Sequence, residues 1–381
     1  MRAATILAGL AASTLTAAVL AQPMPVGVYL YDPAPGGFPI DAMRGISVSR
    51  DGMTVSGTSN GSLGYRWTLA TGRVDLDASL GRVFGLATDG SATLHVQTPA
   101  GQRQRAVLHR PATGVQDLGV VSGIGIGSIE KLHASNNAST VYATRFTNPQ
   151  QFGIIRVPYR WTQATGWQDI TPAPFFGSDW IETVDVSDDG NTWLGLNNGF
   201  TGTPGYFTAR GTTVTMLTAP AGFGSPSAAA INAAGTIAVG GVTFGPTVRT
   251  QPAIWTNGVP TVLPQVPGFD SSFFTDVSND GSVAVGITQT FQPSVVHAFV
   301  WTSTGGMKTL ADFLDDYGLA LPSGVQVREI QISGDGTVLA GQWEGNVNTG
   351  LASRGFFAVI PAPSSVLIVS GLFAYAARRR R

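Results

Sequence analysis

Histidine, the side chain that most often binds metals and transfers protons near neutral pH, is rare in this chain. The 381 residues include four histidines, His95, His109, His133 and His297. None of them belongs to a His-x-x-x-His or His-Glu pair, so the zinc-hydrolase pattern is absent. His109 occupies a position at which several similar segments of this chain have tryptophan, as at Trp67 and Trp161. His297 lies in an apolar run. Both are therefore predicted to pack in the core.

Aspartates occur at five similar turns and in two clusters, residues 185–189 and 312–316, where they could bind calcium. The five turn aspartates, each followed by glycine, are Asp51, Asp89, Asp189, Asp280 and Asp335. A calcium loop needs several acidic residues at alternating positions and a distant glutamate, and that spacing is missing. The sequence therefore predicts no cofactor, with calcium as the open alternative.

The sequence contains neither a glycine-rich phosphate-binding loop nor a serine-hydrolase elbow. Residues 123–127 read Gly-Ile-Gly-Ile-Gly but are followed by neither a helix pattern nor a Lys-Ser/Thr pair, so they are predicted to form a loop. No Gly-x-Ser-x-Gly elbow of a serine hydrolase occurs. No catalytic, cofactor-binding or metal-ligating residue is predicted, and a protein without enzymatic activity is favoured over an enzyme.

A short turn between two apolar runs recurs seven times along the chain. Five copies keep Asp-Gly, the dipeptide that readily adopts the positive φ of a tight hairpin turn. Five residues after the turn glycine stands another small residue in six copies, with His95 as the exception. The seven turns begin at Ser49, Ala87, Ser135, Ser187, Asn232, Ser278 and Ser333.

Each unit continues through a loop of variable length to an aromatic strand and a second turn, typified by Trp161-Thr162 and Gly166. In the fourth unit, Phe207 is predicted to take the tryptophan position. A fourth strand follows the second turn. Four strands in about 40 to 55 residues is the period of a propeller blade, so the fold class predicted is all-β, a seven-bladed β-propeller.

The ends of the repeat region predict how the ring closes. The seventh unit stops after three strands at Ile360, whereas residues 26–31 form a strand without a unit of its own. This N-terminal strand is predicted to complete the last blade, which removes an exposed sheet edge. Residues 310–318 are predicted to form a short helix that ends at Gly318.

Both termini carry features of export. Arg2 precedes an apolar, small-residue stretch, which predicts a signal peptide, residues 1–21, cut after Ala21. The repeat body, residues 22–360, is followed by residues 361–381, in which a proline motif precedes a twelve-residue apolar stretch and an arginine cluster. The residues that define this tail are Pro361, Ala362, Pro363, Arg378, Arg379, Arg380 and Arg381.

This tail resembles the PEP-CTERM sorting signal, although its Pro-Ala-Pro lacks the glutamate of that family. The resemblance implies an exosortase-type protease as a partner, which would cut the tail after the apolar helix has held it in the membrane. A simple tail anchor is the alternative. Positively charged ends stay on the cytoplasmic side, so the body is expected outside the membrane in both cases.

The repeat itself resembles the HAF-type extracellular repeat from about Met43 to Ile360. The likeness rests on the Ser-x-Asp-Gly and Trp-Thr elements and on His297-Ala298-Phe299, which is followed by Val300-Trp301-Thr302. It implies an extracellular location and adds no reaction.

Charge narrows the class of partner. The whole chain has a net charge of −1, but without Arg2 and the four terminal arginines the body has 17 basic against 23 acidic residues, about −6. Such a body is a poor ligand for nucleic acid, which needs clustered Lys and Arg.

These features predict an exported cell-surface or matrix protein. A non-catalytic binding or structural module for exopolysaccharide or other proteins is favoured. The alternative is a secreted polysaccharide-acting hydrolase or lyase, in which carboxylates such as Glu182, Glu329 and Glu344 would pair across the propeller funnel.

Overall fold

The structure is a computed structural model that describes residues 26–31, 46–59, 63–100, 102–121, 127–147, 155–177, 180–199, 203–245, 249–292, 294–344 and 354–361. The predicted signal peptide, the loop residues 123–126 and the sorting-tail residues 362–381 lie outside this part of the chain. Pro361 is described and follows the last strand directly.

Within the described residues, 28 strands form seven antiparallel four-stranded sheets, which confirms the seven-bladed propeller. The first strand in the chain is β1 (Gly27–Tyr31). The first three blades are β2 (Ser47–Val48), β3 (Val55–Ser59), β4 (Leu63–Thr68) and β5 (Gly72–Asp75); β6 (Val83–Leu86), β7 (Thr93–Gln97), β8 (Arg105–Arg110) and β9 (Gly114–Val120); and β10 (Gly127–Ala134), β11 (Thr140–Thr147), β12 (Ile155–Thr162) and β13 (Gly166–Asp169).

The remaining blades repeat the same order, and the last one takes its outer strand from the start of the chain. They are β14 (Ile181–Val186), β15 (Thr192–Asn197), β16 (Gly205–Arg210) and β17 (Thr213–Met216); β18 (Pro226–Ile231), β19 (Ile237–Phe244), β20 (Arg249–Thr256) and β21 (Val259–Val262); β22 (Ser271–Val277), β23 (Val283–Phe291), β24 (Ser294–Thr302) and β25 (Gly306–Thr309); and β26 (Gln326–Ile332), β27 (Val338–Glu344), β28 (Arg354–Val359) and β1.

The N-terminal strand closes the ring as predicted. β1 runs antiparallel to β28, from Gly27 opposite Val359 to Tyr31 opposite Gly355. In the apolar cluster beneath it, Phe357 of the last blade packs against Trp67 of the first, with ring centroids 4.8 Å apart. The two ends of the repeat region therefore share one sheet and one core.

The Ser-x-Asp-Gly turn is held by its own side chains. In the fourth blade, Ser187 Oγ donates to Asp189 Oδ1 at 2.6 Å and accepts the backbone N–H of Thr192 at 3.0 Å. Asp189 Oδ1 also accepts the N–H of Asn191 at 2.9 Å. The same serine–aspartate bond recurs in the turns that begin at Ser49, Ser278 and Ser333. This explains why these two residue types recur, because they satisfy backbone groups that the turn would leave unpaired.

The variable second residue of this turn joins neighbouring blades. Asn136 N–H donates to Asp188 O at 3.0 Å, and Asp188 N–H donates to Ala233 O at 3.0 Å. The links continue around the axis until the seventh blade meets the first. The other links are Asn232 Nδ2 to Asn279 O, Asn279 N to Gly334 O, Gly334 N to Arg50 O, Arg50 N to Thr88 O, and Thr88 N to Ala134 O. We call this closed series the turn ring.

The turn glycine also packs against the preceding blade. Gly190 has φ +64°, and a Cβ built on it would lie 2.7 Å from Thr140 Cβ of the third blade. The corresponding glycines of three other blades, Gly52, Gly235 and Gly281, would collide in the same way with the preceding blade, and a Cβ at Gly90 would make tight contacts of 3.0 Å with Ser49 and Thr54. Glycine is required here both for the left-handed backbone and for the blade-to-blade distance.

In five blades the small residue five positions later faces an aromatic residue. Gly57 lies opposite Tyr65, and Gly341 lies opposite Phe356. The exception, His95, lies opposite Val107, so the larger residue is on the other strand of the pair. In these pairs a large residue on one strand compensates for a small one on the other, whereas the fifth blade pairs two small residues, Gly240 and Ala253.

One prediction about the fourth blade is wrong. Phe207 was expected at the tryptophan position, but it lies opposite Gly195, the register of the preceding aromatic. The tryptophan position is Ala209, which lies opposite Trp193. Trp193 supplies from β15 the ring that other blades place on the next strand, so an alanine can stand where the pattern has tryptophan.

The predicted helix is present as α1 (Leu310–Asp315). Thr309 Oγ1 accepts the N–H of Asp312 at its start, and Gly318 follows its end with φ +69°. Leu310, Phe313 and Leu314 pack into the core shared by the last two blades. Three 3₁₀ turns cover Ala78–Leu80, Asn136–Ala138 and Ala173–Phe175. None of the helices in the described ranges is long and apolar enough to cross a membrane.

Arg50 reaches across the axis from the first blade. Its Nη2 donates to Ile231 O at 2.8 Å, its Nη1 to Val277 O at 3.1 Å, and its Nε to Asp188 Oδ1 at 3.3 Å. The guanidinium thereby contacts the fourth, fifth and sixth blades, next to the half-buried Asp185 and Asp276.

Asp185 and Asp276 join the innermost strands of neighbouring blades. Asp185 Oδ2 accepts the N–H of Ile231, and Asp276 Oδ2 accepts that of Ile332. Burial raises the pKa of Asp185 to about 6, against the opposing charge of Arg50, and burial raises the pKa of Asp276 as well. The positive charge of Arg50 thus partly offsets the desolvation cost of Asp185 and Asp276.

Replacing a turn glycine should cost more than backbone strain alone. Gly190→Ala introduces both an unfavourable φ and a collision with Thr140, whereas Gly211→Ala introduces only the φ, because nothing lies near its Cβ. We expect Gly190→Ala to lower the free energy of unfolding by about 1–3 kcal/mol more than Gly211→Ala. Urea denaturation of both variants measures this difference. Equal losses would contradict the role of the glycine in blade spacing.

Removing Arg50 should destabilise the ring in a pH-dependent way. Arg50→Ala leaves the half-buried Asp185 and Asp276 without their cation, at a cost of about 1–3 kcal/mol near pH 8. A carboxyl with a raised folded pKa loses this cost as the pH falls through that pKa, so the loss should shrink at pH 5. Denaturation at both pH values tests this. Arg210→Ala, at an exposed arginine, is the control and should change stability by less than about 0.5 kcal/mol.

Candidate functional site

The two faces of the propeller are built differently. The connections from the innermost strand to the second strand, which carry the Ser-x-Asp-Gly turns, are five or six residues long. On the opposite face, the connections between second and third strands range from two to nine residues, and those between blades from six to sixteen. We call these the turn face and the loop face. Connections of variable length are where rigid scaffolds usually carry binding residues, so the loop face is the better candidate.

The axial channel widens towards the loop face. Near the turn face, a cavity of about 190 Å³ is lined by residues from all seven innermost strands and by Arg50. Towards the loop face, around the starts of the innermost strands, lies a cavity of about 820 Å³. We call it the funnel cavity; Phe84, Gln104, Glu130, Lys131, Arg156 and Glu182 line part of its wall. Its volume is within the range of about 300–1,000 Å³ typical of ligand pockets.

Four charged side chains of the funnel cavity form one network. Lys131 Nζ donates to Glu182 Oε2 at 2.8 Å, and Arg156 Nε donates to Glu130 Oε2 at 2.7 Å. Arg156 Nε also lies 3.2 Å from Glu182 Oε1. Two cations and two carboxylates on the described part of the wall therefore compensate each other.

Aromatic rings hold Arg156 in place. Its guanidinium carbon lies 4.0 Å from the centre of the Trp180 ring and 5.4 Å from that of Phe146. Trp180 Nε1 donates to Glu182 Oε1 at 2.6 Å, so the same indole fixes both an arginine and a glutamate. Cation–π contacts of this kind orient a guanidinium without using its N–H donors.

β-Bulges bring consecutive residues into the cavity. The register of β10 against β11 shifts between Ile129 and Lys131, so the strand alternation is broken at Glu130. A similar shift in β6 leaves Phe84 as the extra residue. Glu130, at the bulge, and its neighbour Lys131 line the cavity together with the other β10 residues from Ser128 to His133. Bulges commonly re-aim side chains in this way.

The carboxylates predicted to pair across the funnel are not brought together in the described structure. Glu182 lines the funnel cavity, whereas Glu329 contacts the first blade, where its Oε1 accepts the N–H of Ile46 at 2.9 Å and its Oε2 accepts Gln342 Nε2 at 2.8 Å. Glu344 ends β27 opposite Gln326, and its side chain lies outside the described part. Glu130, which the sequence did not single out, is the carboxylate that lies near Glu182.

The pKa of Glu182 favours an ionised group. Burial raises it, but the hydrogen bond and charge of Lys131, the Trp180 N–H and Arg156 together lower it below its usual value. In Glu329, burial raises the pKa to about 7. The carboxyl with a raised pKa thus lies on β26 of the last blade, whereas the charged network lies on the third and fourth blades, where Glu182 is a hydrogen-bond acceptor.

Three of the four histidines pack against other aromatic rings. His109 has the register of Trp67, and its ring meets His95 edge-on at 6.4 Å. His95 is buried, bonds to Thr93 Oγ1 and Arg82 O, and burial lowers its pKa to about 4. The ring of His297 packs edge-on against Phe269, with centroids 5.4 Å apart. His133 is different, because it lines the channel; burial lowers its pKa to about 3, which keeps it neutral.

The acidic clusters have structural partners. The turn aspartates Asp51, Asp189, Asp280 and Asp335 each accept a serine hydroxyl and a backbone N–H. In the second cluster, Asp312 accepts the Thr309 hydroxyl and Asp316 pairs with Lys308 at 2.7 Å. Over the described ranges, no group of three His, Cys, Asp or Glu side chains could hold a metal ion.

Comparison with known proteins identifies a fold and no family. No protein-family model matches the chain, and no curated protein matches it. Among solved structures, it is similar to an oligogalacturonate lyase in complex with manganese, with a TM-score of 0.58 and 14% identity over 89% of this chain and 97% of that one. It is also similar to an acylaminoacyl peptidase from Pyrococcus horikoshii, with a TM-score of 0.55 and 10% identity over 90% of this chain and 55% of that one.

A third similar structure differs in how its ring is described. The β-propeller domain of the Trilobed protease from Pyrococcus furiosus has a TM-score of 0.50 and 14% identity over 71% of this chain and 84% of that one, and is described as having an open velcro topology. In this chain, β1 completes the last blade. Likeness at these identities concerns the fold alone: the chain is a β-propeller whose ring is closed by its N-terminal strand.

Proposed function

We propose that this chain is an exported, non-catalytic binding module that recognises extracellular polysaccharide in the funnel cavity. The observation that carries the proposal is the composition of that cavity. Paired cations and carboxylates line the same cavity as a half-buried aromatic residue, Phe84, towards the face of the propeller that carries the variable loops. Sugar hydroxyls both donate and accept hydrogen bonds, so a wall with both kinds of group suits them.

Export and surface location belong to the same proposal. The signal peptide, the PEP-CTERM-like tail and the HAF-type repeat each support a protein that acts outside the cell, with an exosortase-type protease as its processing partner. The end of the fold fits this order, because Val359 is the last strand residue and Ile360 is still buried. Cleavage of the chain from Pro361 onwards would leave every described sheet complete.

A secreted polysaccharide hydrolase or lyase is the second candidate. Two carboxylates, Glu130 and Glu182, flank Arg156 in the funnel cavity, and a solved structure with a similar fold is an oligogalacturonate lyase. Acid–base cleavage of a glycosidic bond needs one carboxyl held protonated beside one that is ionised. The lowered pKa of Glu182 fits only the ionised member of such a pair.

Polysaccharide binding should depend on the charged network. On a glycan array, the purified full chain is expected to bind one class of polysaccharide, and Arg156→Ala should weaken that binding about tenfold or more, because it releases Glu130 and Glu182. Lys131→Ala should weaken it too. Arg210→Ala, on the turn face, is the matched control and should bind like the unchanged chain.

Three results would contradict the proposal. If the unchanged chain unfolds cooperatively, which shows that it is folded, and yet binds no glycan on the array, the proposal is contradicted. Binding unaffected by either cavity variant would place the site elsewhere. Turnover of a bound glycan that is lost in Glu182→Gln would favour the enzyme.

Processing should be visible in the mature protein. Mass spectrometry of protein recovered from its native cells should give a chain that begins at Gln22 and lacks Arg378 to Arg381. An intact Arg381 on an N-terminally processed chain would contradict sorting-type cleavage and favour a tail anchor. A chain that still begins at Met1 would contradict export by signal peptide.

A further inference from the structure

We infer that the ligand of the funnel cavity is a neutral oligosaccharide, and that uronic acid polymers and other polyanions are excluded. The inference rests on the proposed function and names its ligand class. It follows from three properties of the described wall: its charge balance, its unused hydrogen-bonding groups and its apolar floor.

The charges of the wall are already satisfied within the protein. Arg156 bonds to Glu130 through both Nε and Nη2, at 2.7 and 3.3 Å, and Lys131 bonds to Glu182 at 2.8 Å. A carboxylate ligand that accepted a free N–H of Lys131 or of Arg156 Nη1, which has no partner in the described structure, would lie beside Glu182 or Glu130. Like charges in a partly dehydrated site repel each other strongly, so an anion gains little here.

His133 does not change this balance. It also lines the funnel cavity, and burial lowers its pKa to about 3, so its ring is uncharged near neutral pH. The repeat body also repels anions at long range, because its net charge is about −6 without the terminal segments. A polyanion would therefore approach against the overall field of the protein.

Several groups on the wall retain hydrogen-bonding capacity. Lys131 Nζ uses one of its three N–H donors on Glu182, and its side chain is 41% exposed. Gln104 Oε1 accepts the N–H of Ile129 at 2.7 Å, and its Nε2 donates to no described residue. Each oxygen of Glu130 accepts one bond from Arg156, which leaves acceptor capacity on a side chain that is 30% exposed.

These donors and acceptors lie on one wall, which suits a hydroxyl group better than an ion. A hydroxyl can accept from Lys131 or Gln104 while it donates to Glu130, and it leaves the ion pairs intact. A carboxylate can only accept hydrogen bonds, so it could not donate to the acceptor positions of Glu130 that Arg156 leaves free. The wall therefore distinguishes a polyol from a polyanion by the direction of its hydrogen bonds.

An apolar floor completes the site. Ile46, Val83, Phe84 and Ile129 line the cavity; Phe84 is only partly buried, whereas the other three are 2–5% exposed and lie behind the surface. The C–H face of a neutral hexose can pack against Phe84 while its hydroxyl edge meets the charged network. Cavities that combine an apolar lining with a few placed polar groups are typical of small-ligand sites.

Matched pairs of oligosaccharides test the inference. Isothermal titration calorimetry with the full chain would compare galactose, glucose and mannose oligomers with galacturonate, glucuronate and mannuronate oligomers of the same length and linkage. Each pair differs only in a carboxylate in place of a hydroxymethyl group. We expect a neutral member to bind about tenfold tighter than its acidic counterpart or better. Equal or tighter binding of the acidic member would overturn the inference.

A variant separates the two ligand classes independently. Glu130→Gln keeps the shape of the wall and removes one acceptor charge, so neutral binding should weaken about tenfold. If the true ligand were an anion, the same variant would free Arg156 and tighten binding of the acidic oligomer, which would overturn the inference. Asp75→Asn removes one charge on the outer strand β5 and is the control, with an expected change below about twofold.

The remaining outcomes distinguish this inference from the proposed function. Array binding to an acidic glycan that is lost in Arg156→Ala would sustain the binding module and overturn the neutral ligand. Failure of all oligomers, together with an empty array, would overturn both. Neutral binding that is unaffected by Glu130→Gln would overturn the assignment to this wall.

Discussion

Neighbouring blades are tied together at the turn face by hydrogen bonds from one Ser-x-Asp-Gly turn to the next. The donors and acceptors are mostly backbone groups of the second turn residue, as in the bond from Asp188 N–H to Ala233 O at 3.0 Å. Because the links return to Arg50 after the seventh blade, every innermost strand has its end fixed relative to two neighbours. The turn glycine sets the spacing, since a side chain there would collide with the preceding blade. The channel is consequently narrow where the turn ring lies and wider where the strands start.

The two ends of the channel use charge in opposite ways. At the turn face, Arg50 is nearly buried and is surrounded by Asp185, Asp188 and Asp276, so its charge serves to hold blades together. Breaking a buried pair of this kind is costly, which makes that end unsuited to exchange a ligand. At the loop face, Lys131 and Glu130 are partly exposed and retain donors and acceptors. The same residue types therefore stabilise the ring at one end and can exchange partners with a ligand at the other.

The sequence predicted the parts of the fold that depend on short local motifs. The turn motif, the small residue five positions later, the strand that closes the ring and the helix that ends near Gly318 all appear where they were expected, because each follows from short-range chemistry. The aromatic position of the fourth blade was predicted wrongly because the large and the small residue of a cross-strand pair can change places between the two strands, as Trp193 and Ala209 do. A pattern that follows one strand alone cannot detect such an exchange.

The candidate site was harder to predict for a related reason. Glu130 and Lys131 both line the cavity, and a bulge at Glu130 interrupts the alternation of β10, so a strict period of two does not describe this strand. Arg50 stands at the variable position of the turn motif, where the repeat gives no reason to select it. Bulges themselves recur in six of the seven innermost strands, so the repeat does not show which of them carry the side chains of the site. A propeller can acquire a specific cavity in this way, since the residues at these bulges and the long connections of the loop face shape the funnel while the turn ring keeps the blades in register.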